Sequence, residues 1–229
     1  MKIFKLILLL VVVTFGYLVY SLGLFGTPKA KDLGIEYSSA DFVSTRDKAK
    51  ITFEDKDLTD NPSLAISFSG SHETKESYTS QELTAIANER SWQYLPFSNI
   101  QIKLGDGGAE ISGNLDTSKV VDYLQAVGGM SESEASAVKK YIPISGRPAF
   151  YLKVGGSVIN NDLDLAISSL SIGSIQVPSG IIGDNQGRVE SFLESRARAF
   201  PGFSVTALDI KAGELNFDGT LPDTESLAR

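Results

Sequence analysis

The chain has 229 residues, with 28 acidic against 21 basic side chains, one histidine and no cysteine. The absence of cysteine excludes disulfides, thiolate metal sites, a cysteine nucleophile and a lipidated cysteine. The acidic balance argues against nucleic acid as a partner, and the residues beyond the first 26, about 200 of them, suffice for one domain with a substantial core.

The run Leu6–Phe25 carries no charge, and about 20 residues at helical rise span a bilayer. A cleaved signal peptide is the rival, but the small-x-small site around Ser21-Leu22-Gly23 is poorly formed. Lys2 and Lys5 favour a cytoplasmic N-terminus, an asymmetry that Lys29 and Lys31 weaken. Residues 1–26 are therefore expected as a transmembrane anchor, 27–62 as a juxtamembrane linker with a short helix capped at Ser38, and 63–229 as an extracytoplasmic α+β domain.

Within that domain, Leu64–Ser69 alternates apolar and small polar residues, as a half-buried strand does. Thr79 with Glu82 forms a capping box ahead of a helix whose apolar face is Leu83, Ile86 and Ala87, and Pro96 closes that region. A hairpin follows, with Ile100, Ile102 and Leu104 outbound, a turn at Gly105–Gly108, and Ile111, Gly113 and Leu115 returning. Two helices come next, one carrying Val120, Val121, Leu124 and Val127, the other capped by Ser131 with Glu134. A long hairpin then runs through Phe150, Leu152 and Val154, turns at Asn160-Asn161 and returns through Leu163, Leu165 and Ile167. A helix is expected over Arg188–Phe200, with Val189, Phe192, Leu193 and Ala197 apolar and Glu194 paired with Arg198. Pro201-Gly202 stops it before a third hairpin through Ile210 and Leu215. Helix, proline break and hairpin thus occur twice, as a duplication or as the usual attraction of Pro, Phe and Gly to such junctions.

Chemistry-bearing motifs are sparse. His72 reads as an exposed loop histidine. Ser136 and Lys139 match the S-x-x-K spacing of serine acyl-enzymes, without the companion motifs that chemistry needs. Glu54, Asp55, Asp57 and Asp60 read as a solvated acidic loop, since the glycine and closing glutamate of a calcium loop are missing. Asp162 and Asp164 share the solvent face of a strand. The glycines at 105, 107 and 108 sit between strands and offer no helix N-terminus to a phosphate. No catalytic residue, metal site or cofactor is expected.

What remains is apolar surface. The segments Ser80–Asn88, Ile100-Gln101-Ile102 with its glycine hairpin, and Ser171-Ile172-Gly173-Ser174-Ile175-Gln176-Val177-Pro178 resemble the YpmS-type family of membrane-anchored bacterial envelope proteins, over roughly residues 63–221. That family is similar to the tubular lipid-binding (TULIP-like) superfamily, in which a long bent antiparallel sheet wraps one or two helices. The family pattern has asparagine where this chain has Thr84, and no catalytic residues transfer. The resemblance implies binding of lipid or another amphiphile at the outer face of the membrane. The candidate groove is drawn from Ile100, Ile102, Ile111, Phe150, Leu152, Leu163, Leu165 and Ile167. A filled core with an exposed apolar patch would instead suit an adaptor for an envelope enzyme or transporter.

Overall fold

The computed structural model describes residues 29–139 and 146–229. The expected anchor, residues 1–26, lies outside the described residues, among which no helix is long and apolar enough to cross a membrane. The fold is α+β, with a large antiparallel sheet, a small second sheet and few helices.

Helix α1 (Ser39–Ala49) begins where the Asp41 carboxylate accepts from the Ser38 N–H at 2.8 Å. Strand β1 (Thr52–Lys56) follows and lies parallel to the C-terminal strand, with β2 (Ile66–Ser69) antiparallel on that strand's other side. The segment expected as a linker is therefore built into the fold. The Leu33 N–H also donates to Gln101 Oε1 at 2.7 Å, and Ser112 Oγ donates to the Lys31 carbonyl at 2.6 Å. A strand reading Thr-Phe-Glu-Asp-Lys has no apolar alternation to announce it, because its partner is a short strand far along the chain. Glu54 and Asp55 sit on this strand and not in a free acidic loop. Glu54 accepts from Ser226 Oγ at 3.0 Å, and Asp55 lies 3.6 Å from Arg90 and 3.4 Å from Arg229.

The large sheet is organised around one long hairpin, β6 (Ala149–Ile159) and β7 (Asp162–Ile172). Its turn residues Asn160 and Asn161 have φ of +53° and +65°, as a two-residue primed turn requires. The other edge of β6 is shared. Strand β5 (Gly108–Leu115), hairpinned to β4 (Phe97–Gly105), pairs with its first half. Strand β9 (Ser204–Lys211), hairpinned to β10 (Glu214–Leu221), pairs with Val158 and Ile159 at its end. Strand β3 (His72–Tyr78) adds to β10, the two-residue β8 (Ile175–Gln176) adds to β7, and β11 (Thr224–Ala228) is the C-terminal strand of the small sheet. Each of the short hairpins follows a helix and a proline, so the repeated plan read from the sequence is present in the fold.

Side chains from helices close the sheet edges. Helix α2 (Ser80–Glu89) runs along β4 and presents Ser80, Thr84 and Asn88, four residues apart, to its free backbone groups. Ser80 Oγ accepts from Leu104 N–H at 2.9 Å, Thr84 Oγ1 from Ile102 N–H at 3.0 Å, and Asn88 Oδ1 from Ile100 N–H at 3.0 Å. Thr84 and Asn88 also donate back to the Ile102 and Ile100 carbonyls. Helix α3 (Val120–Ala126) and helix α4 (Glu132–Lys139) follow β5, the latter capped by Ser131 and Glu134. Helix α5 (Ser179–Ala199) treats the edge of β7 as α2 treats β4. Glu190 Oε1 accepts from Leu165 N–H at 3.1 Å and Glu194 Oε1 from Leu163 N–H at 2.9 Å. Edge strands left bare invite pairing with other chains, and these side chains remove the opportunity. Helix α5 starts at Ser179, a full two turns before the expected Arg188, because Gly180, Gly183 and Gly187 mask its first half.

Two buried clusters hold the fold. One joins Ala65, Trp92, Tyr94, Leu227 and Ala228, with Tyr123 of α3 and Val127 just past its end packed on it. The other joins Tyr78, Val205 and Phe217, with Leu83, Val158 and Leu208 around it. His72, expected in a loop, opens β3 and is only partly exposed. Its Nδ1 lies 2.8 Å from Asp223 Oδ1 and its Nε2 2.8 Å from the Ala49 carbonyl, so it clasps the end of α1 to the β10–β11 connection.

Candidate functional site

The sheet brings the sequence-predicted groove residues onto one face. Ile102, Ile111 and Leu152 stand opposite one another on β4, β5 and β6, and the row continues to Leu170 on β7. Ile167 faces Val154, Leu165 faces Gly156 and Leu163 faces Val158. Ile100 points its N–H and C=O at α2 as Ile102 does, which gives its side chain the same face. Phe150 lies opposite Gly113, and a Cβ on that glycine would sit 2.9 Å from the Phe150 ring. The opposite face carries Gln101, Ser112 and Tyr151, over which residues 31–33 run.

All of these predicted residues are half-buried, and none lines the apolar cavity that lies nearby. That cavity, about 350 Å³, opens beside the sheet face, between α3 and the C-terminal half of α5. Leu124 and Val127 form one wall, Phe192, Leu193 and Ala197 the other, and Phe68, Phe200 and Phe203 close the end. Phe68 and Phe200 meet edge to face at 5.2 Å. The cavity joins the sheet face through a chain of rings. Phe150 packs on Phe97 at 5.5 Å, and Phe97 on Tyr123 of the cavity wall at 5.6 Å.

Helix α5 builds this arrangement by turning two stripes in different directions. Gln186, Glu190, Glu194 and Arg198 recur every four residues and form the stripe that contacts the β7 edge and its ion pairs. Phe192, Arg196 and Phe200 form a second stripe, next to Leu193 and Ala197, and face the cavity. No residue of α5 is fully buried, and Leu193 is 43 % exposed. The helix is thus held mainly by edge hydrogen bonds, and its apolar side borders open volume.

Arg196 is the one charged residue lining the cavity. Its Nε donates to the Val127 carbonyl at the end of α3 at 2.8 Å, and its guanidinium carbon lies 5.4 Å from the Phe200 ring centre. Gly129, at φ +60°, makes room for it, since a Cβ there would fall 2.6 Å from Nη1. Arg46, Arg90, Arg147, Arg198 and Arg229 each pair with a carboxylate, whereas the exposed Arg188 and the half-buried Arg196 have no ion pair among the described residues.

Other chemistry is not assembled among the described residues. No group of three His, Cys, Asp or Glu residues comes together that could hold a metal ion. Asp162 and Asp164 are both exposed on β7, Asp162 pairing with Arg198 at 3.3 Å. The Ser136–Lys139 pairing falls partly outside the described residues.

The apolar faces of α3 and α5 are readable in the sequence, but periodicity does not say what they meet. Arg196 carries no motif, and its role emerges only from the contacts of the folded chain. Compared with family models, with curated proteins and with solved structures, the chain finds no match in any of the three.

Proposed function

We propose that this protein is a membrane-tethered, non-catalytic binding module for lipid or another hydrophobic ligand, held outside the cytoplasm by its N-terminal segment. The observation that carries this reading is the apolar cavity between α3 and α5, whose volume of about 350 Å³ falls at the lower end of the roughly 300–1,000 Å³ of small-molecule pockets. The half-buried sheet face beside it, joined through Phe150, Phe97 and Tyr123, supports a larger apolar tract than the cavity alone. In this reading the bent sheet and the helices α3 and α5 together form the wall around the ligand, the arrangement expected from the resemblance to tubular lipid-binding proteins. Native mass spectrometry with lipid extraction tests it, comparing wild type with Ala197→Trp, which fills the cavity. Wild type is expected to carry lipid at defined stoichiometry and the variant to lose it. Equal lipid in both contradicts the reading.

A second reading, an adaptor for an envelope enzyme or transporter, is favoured by the exposure of Ile175 and Ile181, at 39 % and 55 %. It predicts a lipid-free wild type in that experiment.

A further inference from the structure

Arg196 gives the cavity a chemical preference, and this step rests on the reading of the cavity as a ligand site. A guanidinium lining a pocket of aromatic and aliphatic side chains is a partly desolvated charge, and such charges are normally matched by a carboxylate. The other arginine that is not exposed, Arg90, shows the usual solution, with Glu225 Oε1 at 2.9 Å. Arg196 instead spends only its Nε, on the Val127 carbonyl, and no hydrogen-bond acceptor among the described residues meets Nη1 or Nη2. Gly129 and the Phe200 ring fix where the guanidinium lies, so its two Nη donors are held as a preformed fork.

We propose that the cavity takes a single-chain fatty acid, its chain between Leu124 and Phe192 and its carboxylate held by the Nη pair of Arg196. A single chain follows from the modest volume. Either anion can take the fork through two oxygens, but the lone cation of this lining balances one carboxylate charge and not the roughly 1.5–2 charges of a monoalkyl phosphate at neutral pH. A neutral alcohol of the same length would fill the cavity but leave the guanidinium unmatched.

The test uses the full chain in phosphatidylcholine nanodiscs with three photoactivatable probes of equal length: a fatty acid, the fatty alcohol and the monoalkyl phosphate. Labelling of the α3 and α5 peptides is read by mass spectrometry in wild type, R196Q and R196K, with the exposed Arg188 changed in R188Q as a control. Taking each probe's ratio between variant and wild type cancels its partitioning into the lipid. The expected result is a roughly tenfold loss of fatty-acid labelling in R196Q, the size of one charge-assisted contact, with alcohol labelling unchanged. R196K should retain part of the preference, and R188Q all of it. Equal behaviour of acid and alcohol across the variants, or an equal loss in R188Q, overturns the carboxylate assignment while leaving the cavity reading standing. A larger loss for the phosphate than for the acid overturns it in favour of phosphate. Absence of α3 and α5 labelling by every probe in wild type defeats the cavity reading itself. Unchanged alcohol labelling in R196Q also shows that the variant is folded. If R196Q is unfolded, competition of lauric acid against dodecanol for the wild-type site decides the point.

Discussion

Replacing Thr84 with valine tests how the large sheet is closed. Thr84 is fully buried, and its hydroxyl accepts from the Ile102 N–H at 3.0 Å and donates to the Ile102 carbonyl at 3.3 Å. Valine keeps the shape and both branches at Cβ but removes both contacts, leaving two backbone groups of β4 facing a methyl. Each unsatisfied buried group costs about 1–3 kcal/mol, so Thr84→Val should destabilise by about 2–4 kcal/mol, a large part of a domain stability of roughly 5–15 kcal/mol. Thr84→Ser keeps the hydroxyl and loses one methyl, and should cost about 1 kcal/mol. Urea denaturation at pH 7, followed by circular dichroism, measures both. A valine variant within about 0.5 kcal/mol of wild type, with the serine variant the weaker of the two, would show that Thr84 acts through packing and that α2 does not cap the edge.

Three further outcomes follow from the same reasoning. The hydroxyl of Tyr78 is buried with no hydrogen-bond partner among the described residues, and burial, with Glu76 and Glu82 nearby, pushes its pKa up to about 12. Tyr78→Phe should therefore be neutral or stabilising by up to about 1 kcal/mol in the same denaturation assay, and a loss beyond 1 kcal/mol would mean the hydroxyl is satisfied. Gly183 lies in the solvent-facing first half of α5, and a Cβ there would meet nothing within 4 Å. Gly183→Ala should raise stability by roughly 0.5–1 kcal/mol, and a decrease would show that the small residue is required there. Burial acts to raise the Glu82 carboxyl, but Lys48, Ser44 and the Thr79 N–H outweigh it and hold the group below the usual carboxylate range. A depressed folded value contributes stability that is present above the ordinary glutamate value of about 4.3 and lost as pH falls through the folded one. Melting temperatures between pH 7 and pH 3 should accordingly fall less steeply in Glu82→Gln than in wild type, and parallel curves would rule Glu82 out as a contributor.

The three hairpins were readable because each has period-two apolar residues on both arms and a glycine or asparagine turn between them. Strand β3 was not, since its inward positions are Thr74, Glu76 and Tyr78, which do not look like a buried face without β10 beside them. Strands β1 and β11 pair across most of the chain and carry no local signal. The first half of α5 was hidden by glycines, which weaken a helical pattern whether or not the helix forms. For the site, the apolar stripes Leu124–Val127 and Phe192–Ala197 were visible one at a time. Periodicity states that a face is apolar and not what it meets, so the groove was placed on Ile102, Leu152 and their neighbours, one aromatic chain away from the cavity. Arg196 could be singled out only once it was seen half-buried beside the cavity without a carboxylate, a lack that among the described arginines only the exposed Arg188 shares.

The most direct measurement is methyl NMR of the full chain in nanodiscs, with isoleucine, leucine and valine methyls labelled, during titration with lauric acid. The cavity reading predicts saturable shifts at Leu124, Val127 and Leu193, smaller ones along Leu152 and Ile102, and none at the exposed Leu58 and Leu64. Shifts confined to Leu58 and Leu64, or none at the three cavity methyls, would contradict it.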